Sequence, residues 1–149
     1  MKQSKYLILS WEDFHQDTKA LATLLKGVRP WKGIMAITRG GLVPAAIIAT
    51  ELDIRLIETV CISSYGEDEE QKHLTVYKTQ ALQEDNWIAI DDLADTGATL
   101  NTVKKAAPQA FYASIYAKPA GKEAVDQYLK IIPQETWIVF PWEKPPSHS

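Results

Sequence analysis

Between Trp87 and Thr99 the sequence runs Trp-Ile-Ala-Ile-Asp-Asp-Leu-Ala-Asp-Thr-Gly-Ala-Thr. Trp87 to Ile90 reads as a buried strand that enters a pair of carboxylates, and Gly97 then allows a tight turn into a helix over Thr99 to Ala107. A strand without a polar face needs cover on both sides, which a chain alternating strands with helices supplies. The other segments keep that alternation. Tyr6 to Leu9 reads as a short strand, and Ser10-Trp-Glu-Asp13 as a capping box opening a helix with Phe14, Leu21, Leu24 and Leu25 at helical spacing. Gly33 to Ile37 is a second strand, broken at Arg39-Gly40-Gly41 and followed by a helix over Ala45 to Leu52 with Pro44 in its first turn. Ile54 to Ile62 is a third strand, Gly66 to His73 a polar loop, and Phe111 to Ala117 a fifth strand. After Lys118-Pro-Ala-Gly121 the pattern loosens into irregular chain, with a short strand at Trp137 to Phe140. The expected fold class is α/β, a mainly parallel sheet flanked by helices. Residues 1–149 form one domain, and the tail makes a lid on it.

Thr38-Arg39, Ser63-Ser64, Asp91-Asp92 and Lys118 each follow a predicted strand. Open α/β sheets bind ligands outside the carboxyl ends of their strands, so these polar groups converge on one site. Amides from Asp95 to Thr99, with the hydroxyls of Thr96 and Thr99, suit a phosphate at a helix N-terminus. Asp91 and Asp92 are hard oxygen donors that can accept from a ribose diol or hold Mg²⁺, which commonly takes one or two carboxylates plus substrate oxygens. A sugar phosphate with a metal satisfies both halves. Taken alone, an Asp-Asp pair is more often a solvated turn, and an Arg-Gly-Gly turn is as readily a plain chain reversal.

Composition narrows the partners. A net charge of −3 with scattered Lys and Arg provides no basic stripe, so no nucleic-acid partner is expected. The lone Cys61 excludes an internal disulfide, is read as core, and suits a reducing compartment. Without a visible secretory signal, or an apolar run of the roughly 20 residues that span a bilayer, a cytoplasmic location is expected.

Four apolar residues, two acidic residues, two variable ones and Asp-Thr-Gly-x-Thr make up the phosphoribosyl pyrophosphate (PRPP) motif of the type I phosphoribosyltransferases, which Trp87 to Thr99 resembles throughout. Thr38-Arg-Gly-Gly-Leu-Val-Pro44, Val60-Cys-Ile-Ser-Ser-Tyr65, Ala117-Lys-Pro-Ala-Gly121 and the Pro-Gln-Glu-Thr-Trp-Ile138 segment are similar to the branch that works on xanthine and guanine. The resemblance implies the type I fold with a small C-terminal hood, to which residues 119–149 contribute base binding. It also implies transfer of ribose 5-phosphate from PRPP to N9 of a 6-oxopurine, with xanthine or guanine favoured over hypoxanthine.

By matching position, Arg39-Gly40 resembles the pyrophosphate loop with its non-proline cis peptide. Asp91, Asp92, Asp95, Thr96, Gly97, Ala98 and Thr99 are similar to the PRPP-binding set, with Asp92 the Mg²⁺ ligand and Asp95 the carboxylate near purine N7, a candidate proton relay. Lys118 matches the donor to the 6-oxo group, Trp137 the aromatic that stacks on the base, and Ile138 the carbonyl that reads the 2-position. Singly, Lys118 reads as a snorkelling surface lysine and Trp137 as a core aromatic. Lys72 stands where the family's mobile loop has a PRPP-holding Arg, and lacks its planar grip. The tail from Trp142 departs from the family pattern. The resemblance further implies a homotetramer and, more weakly, peripheral association with the inner face of the cell membrane. Two rival readings remain: another base specificity, and a non-catalytic nucleotide sensor that binds RNA, whose basic face this composition does not provide.

Overall fold

Side-chain alternation along the central strands sets the architecture. In the computed structural model, which describes residues 5–65, 73–76 and 84–144, five parallel strands form the main sheet in the order β3-β2-β6-β7-β8. They span Leu56–Val60 (β3), Gly33–Ile37 (β2), Trp87–Ala94 (β6), Phe111–Ala117 (β7) and Gln127–Ile131 (β8). Ile34 and Ala36 of β2 join Ile88 and Ile90 of β6 and Ala113 and Ile115 of β7 in one core. Met35, Ile37, Trp87, Ala89 and Tyr112, one position out of phase, enter a second core. Period-two side chains fall on opposite faces, so the sheet is buried on both.

Helices α1 (Trp11–Lys26) and α2 (Leu42–Leu52) cover the first core with Phe14, Leu21, Leu25, Ala45 and Ile48, and α3 (Ala98–Ala106) covers the second with Leu100 and Val103. Each fully buried Leu, Ile or Phe contributes about 1.5–3 kcal/mol over its exposed state. Ser10 caps α1 by accepting from the Asp13 amide at 3.0 Å, as the capping box requires. Leu24 is the exception on that helix: it is 44% exposed, off the buried stripe.

Two smaller sheets sit beside the main one. β1 (Tyr6–Ile8) pairs in parallel with β9 (Trp137–Val139), and β4 (Ile62–Tyr65) pairs antiparallel with β5 (His73–Val76). The third strand therefore ends at Val60 instead of running to Ile62. Cys61 lies between β3 of the main sheet and β4 and is exposed, so the core reading of this residue is wrong. β8 was also not anticipated; it is an edge strand of partly and fully exposed residues, without the apolar run of its neighbours. Phe14, Phe140 and Trp142 cluster, with ring centroids 4.9 Å apart for Phe14–Trp142 and 5.0 Å for Phe140–Trp142, which fastens residues 140–142 to α1. Among the described residues no helix is long and apolar enough to cross a membrane.

Candidate active site

The chain leaves β2 toward β3 on one side of the sheet, and leaves β6 toward β7 on the other. Neighbouring strands that diverge in this way open a crevice at their carboxyl ends. Thr38, Arg39 and Gly40 follow β2 directly. The Thr38 amide donates to the Val60 carbonyl at 3.0 Å, the Thr38–Arg39 peptide is cis, and Arg39 is exposed. A Cβ on Gly40 would fall 2.6 Å from Cγ and Oδ1 of Asp92. Only glycine lets this loop lie on that carboxylate.

Asp91 and Asp92 lie inside β6, not beyond it, because pairing with β7 continues to Ala94 opposite Ala117. Both are half-buried, and the Asp92 amide donates to Asp91 Oδ1 at 2.8 Å. Burial, reinforced by the neighbouring Asp92 charge, pushes the Asp91 carboxyl well above the usual carboxylate range. Burial likewise pushes Asp92 up to about 6, against hydrogen bonds from Asp91 and the Leu93 amide. Among the described residues no group of three or more His, Cys, Asp or Glu side chains could enclose a metal. The two raised carboxyls nonetheless form a hard-oxygen pair that a dication would stabilise in its charged form, and Mg²⁺ needs no larger protein cage.

The next residues turn sharply, with Gly97 at φ 86°, into α3. Whereas α1 has a serine cap and two acids in its first turn, α3 has neither a side-chain cap nor a first-turn acid. Apart from the Ala98 amide, which donates to Thr96 Oγ1 at 3.3 Å, its positive end is suited to an external anion. A small cavity of about 80 Å³ opens there, lined by Asp91 and residues 93–100. A larger cavity of about 450 Å³ lies among residues 26–31 and 51–54, before the N-terminal ends of β2 and β3, and contains none of these groups.

At the end of β7, Lys118 is buried at 6% exposure, which removes the snorkelling reading. Its amide donates to the Ala94 carbonyl at 2.9 Å, and its ammonium lies 3.5 Å from Asp95 Oδ1. Gln134, to which sequence reasoning gave no part, donates to Asp95 Oδ1 at 2.9 Å and accepts from the Ala120 amide at 2.8 Å. Trp137 is 60% exposed on β9, so it is not a core aromatic. Trp137 donates to Lys5 and Leu9 to Val139, so by strand alternation the amide and carbonyl of Ile138 face away from β1. Lys72 and the Gly66-to-Lys72 part of the expected loop lie outside the described residues, as do residues 145–149.

The expected groups thus meet in two clusters, Arg39-Gly40 with Asp92, and Asp95 with Lys118, joined through β6. Comparison with known proteins bears on the family. The phosphoribosyl transferase domain model matches residues 10–147. A xanthine-guanine phosphoribosyltransferase of Nitratidesulfovibrio vulgaris is 50% identical over 139 residues, covering 93% of this chain and 85% of that protein. One from Desulfotalea psychrophila is 50% identical over 91% of this chain and 84% of its own length. The crystal structure of a purine phosphoribosyltransferase from Pyrococcus horikoshii superposes with a TM-score of 0.81 at 30% identity, covering 97% of this chain and 98% of that one. With the PRPP motif in β6 and its loop, and with matches over nearly its full length, the chain belongs to the phosphoribosyltransferase family.

Proposed function

We propose that this enzyme transfers ribose 5-phosphate from PRPP to N9 of a 6-oxopurine in purine salvage, with xanthine and guanine preferred over hypoxanthine. The observation that carries the base assignment is the buried Lys118 ammonium beside Asp95, at the mouth of an uncapped glycine loop. An ammonium donates and never accepts, so it matches a 6-oxo group and opposes a 6-amino group. The relatives named for xanthine and guanine support the same reading.

In this reading the amides and hydroxyls of residues 95–99, including Thr96, Ala98 and Thr99, hold the 5-phosphate, and Asp91 and Asp92 accept from the ribose hydroxyls. The Arg39-Gly40 loop faces the leaving pyrophosphate. As N9 bonds to the anomeric carbon, the bond to pyrophosphate breaks and its electron pair leaves with that group. The proton lost from N7 passes to Asp95, whose side chain is half-exposed. Lys118 stabilises charge on the 6-oxo oxygen, Trp137 stacks on the ring, and the outward Ile138 carbonyl reads the 2-position. Mg²⁺, held by Asp92 with Asp91 adjacent, would supply charge neutralisation at the pyrophosphate.

Lys72 is proposed to meet PRPP phosphate oxygens. Within residues 119–149, β8 completes the sheet, and the proposed base-binding hood falls on the later residues leading to β9. A homotetramer in the cytoplasm completes the proposal. The test is a turnover assay with PRPP, Mg²⁺ and a panel of bases, following nucleotide and pyrophosphate. Guanine and xanthine should be converted, hypoxanthine less, and adenine hardly at all. Comparable use of adenine would overturn the base assignment, and no transfer to any base would overturn the reaction.

A further inference from the structure

The Asp95 side chain is 54% exposed, against 7% for that of Lys118 beside it. One neighbour restrains it. Gln134 Nε2 donates both to Asp95 Oδ1 at 2.9 Å and to the Asp95 main-chain oxygen at 3.3 Å, which fixes the carboxylate against its own backbone. The other end of the same amide, Oε1, accepts from the Ala120 amide at 2.8 Å. That bond sets the orientation of the amide, because exchanging its two ends would set donor against donor at Ala120 and acceptor against acceptor at Asp95. Lys118 also faces Oδ1, at 3.5 Å, so Oδ2 is the oxygen without a partner among the described residues.

Gln134 therefore ties together three segments that follow the neighbouring strands β6, β7 and β8. They are the phosphate loop at Asp95, the base loop at Lys118 to Ala120, and the turn that leads to Trp137, closed by the Thr136 amide on the Pro133 carbonyl at 3.0 Å. We infer that Gln134 is a positioning residue that aims Asp95 Oδ2 at the purine imidazole and fixes its distance from the stacking aromatic; this rests on the phosphoribosyltransferase reading above. Either half of the bridge would help to hold the hood, and only the bond to the Asp95 carboxylate can aim that group. A positioning residue needs the Asp95 half.

The experiment separates the halves with Gln134→Leu, which removes both, and Gln134→Glu, which can still accept from Ala120 but sets a carboxylate against Asp95. Both are compared with the unaltered enzyme and in an Asp95→Asn background, with kcat and KM measured for guanine and for PRPP. Transfer to guanine by the unaltered enzyme tests the underlying reaction, and its absence would strike that reading instead of this one. Given transfer, Gln134→Leu should lower kcat/KM for guanine by about 10- to 100-fold, the scale of a misplaced reacting group. Its melting temperature should change little, because Gln134 is only half-buried. Gln134→Glu should lose at least as much, and in the Asp95→Asn background Gln134→Leu should cost about threefold at most, since the group it aims is gone. Near-normal activity of either single variant, or an undiminished penalty in the Asp95→Asn background, would overturn the inference.

Discussion

Replacing Gly40 by alanine tests whether the loop after β2 and the carboxylate on β6 act as one unit. The added Cβ would lie 2.6 Å from Cγ and Oδ1 of Asp92 and 2.7 Å from Oδ2, against 3.4 Å or more in ordinary contact, a shortfall of about 0.8 Å. Asp92 can yield only by turning its side chain, since it is half-buried on the part of β6 still paired with β7, and its amide is held by Asp91. Forcing its side chain off its rotamer costs about 0.5–1.5 kcal/mol, and overpacking generally about 1–3 kcal/mol. The alternative is for the loop to lift by most of that distance, away from the pyrophosphate. A displacement near 1 Å costs on the order of 100-fold in rate, so kcat/KM for PRPP should fall by about 30- to 100-fold, with a stability loss of about 1–2 kcal/mol. Steady-state kinetics with PRPP varied, beside a thermal melt, measure both. Gly27→Ala is the control: its Cβ would meet only the Leu24 carbonyl at 3.6 Å, so activity should not change. PRPP kinetics within about twofold of normal for Gly40→Ala would refute the coupling, since a shift of this size should cost far more.

Asp92→Asn should abolish most Mg²⁺-dependent turnover while leaving the melting temperature near normal, since it removes charge but keeps shape; undiminished kcat would defeat the metal assignment. Lys118→Ala should lower efficiency on guanine and narrow the gap to adenine, measured as the ratio of kcat/KM values, and an unchanged ratio would remove Lys118 from base selection. Trp137→Ala should raise KM for the base by roughly tenfold, the scale of one aromatic stacking contact, with little change in stability because the ring is already 60% exposed. Equal KM values would place the base elsewhere.

The strand and glycine turn between Trp87 and Thr99 were legible because their signal is local. In Trp87 to Thr99 the apolar run, the carboxylates and the glycine turn are contiguous, and φ 86° at Gly97 is the conformation that such a turn demands. Asp91 and Asp92 were misplaced by only a few residues, because a ladder to β7 sustains strand geometry where polar side chains suggest its end. Elements defined by distant partners left weaker traces. β8 is an exposed edge with no apolar run, and β5 is specified by β4, so neither has a period of its own. Cys61 looked buried because apolar neighbours surround it in sequence, yet it sits where the chain passes from one sheet to another. Gln134 lies in a family-like string that reads as irregular chain and assigns it no role until Asp95 is placed beside it.

The parallel pair β1–β9 has a consequence for how the enzyme is assembled. Tyr6 pairs with Trp137 across most of the chain, whereas the phosphate loop joins β6 to the helix that immediately follows it. Closing so long a segment carries a larger entropy cost than forming a turn, and contacts of that range govern slow steps in folding. Trp137, the aromatic proposed to stack on the base, is thus carried by the least local ladder, outside the five-stranded sheet. On the proposed assignment the two substrates are recognised by parts of unequal resilience: weakening β1 should erode recognition of the base while the loops proposed to grip PRPP stay formed. Base choice can drift through changes in a peripheral pair of strands, with the phosphate-binding framework held constant beneath it.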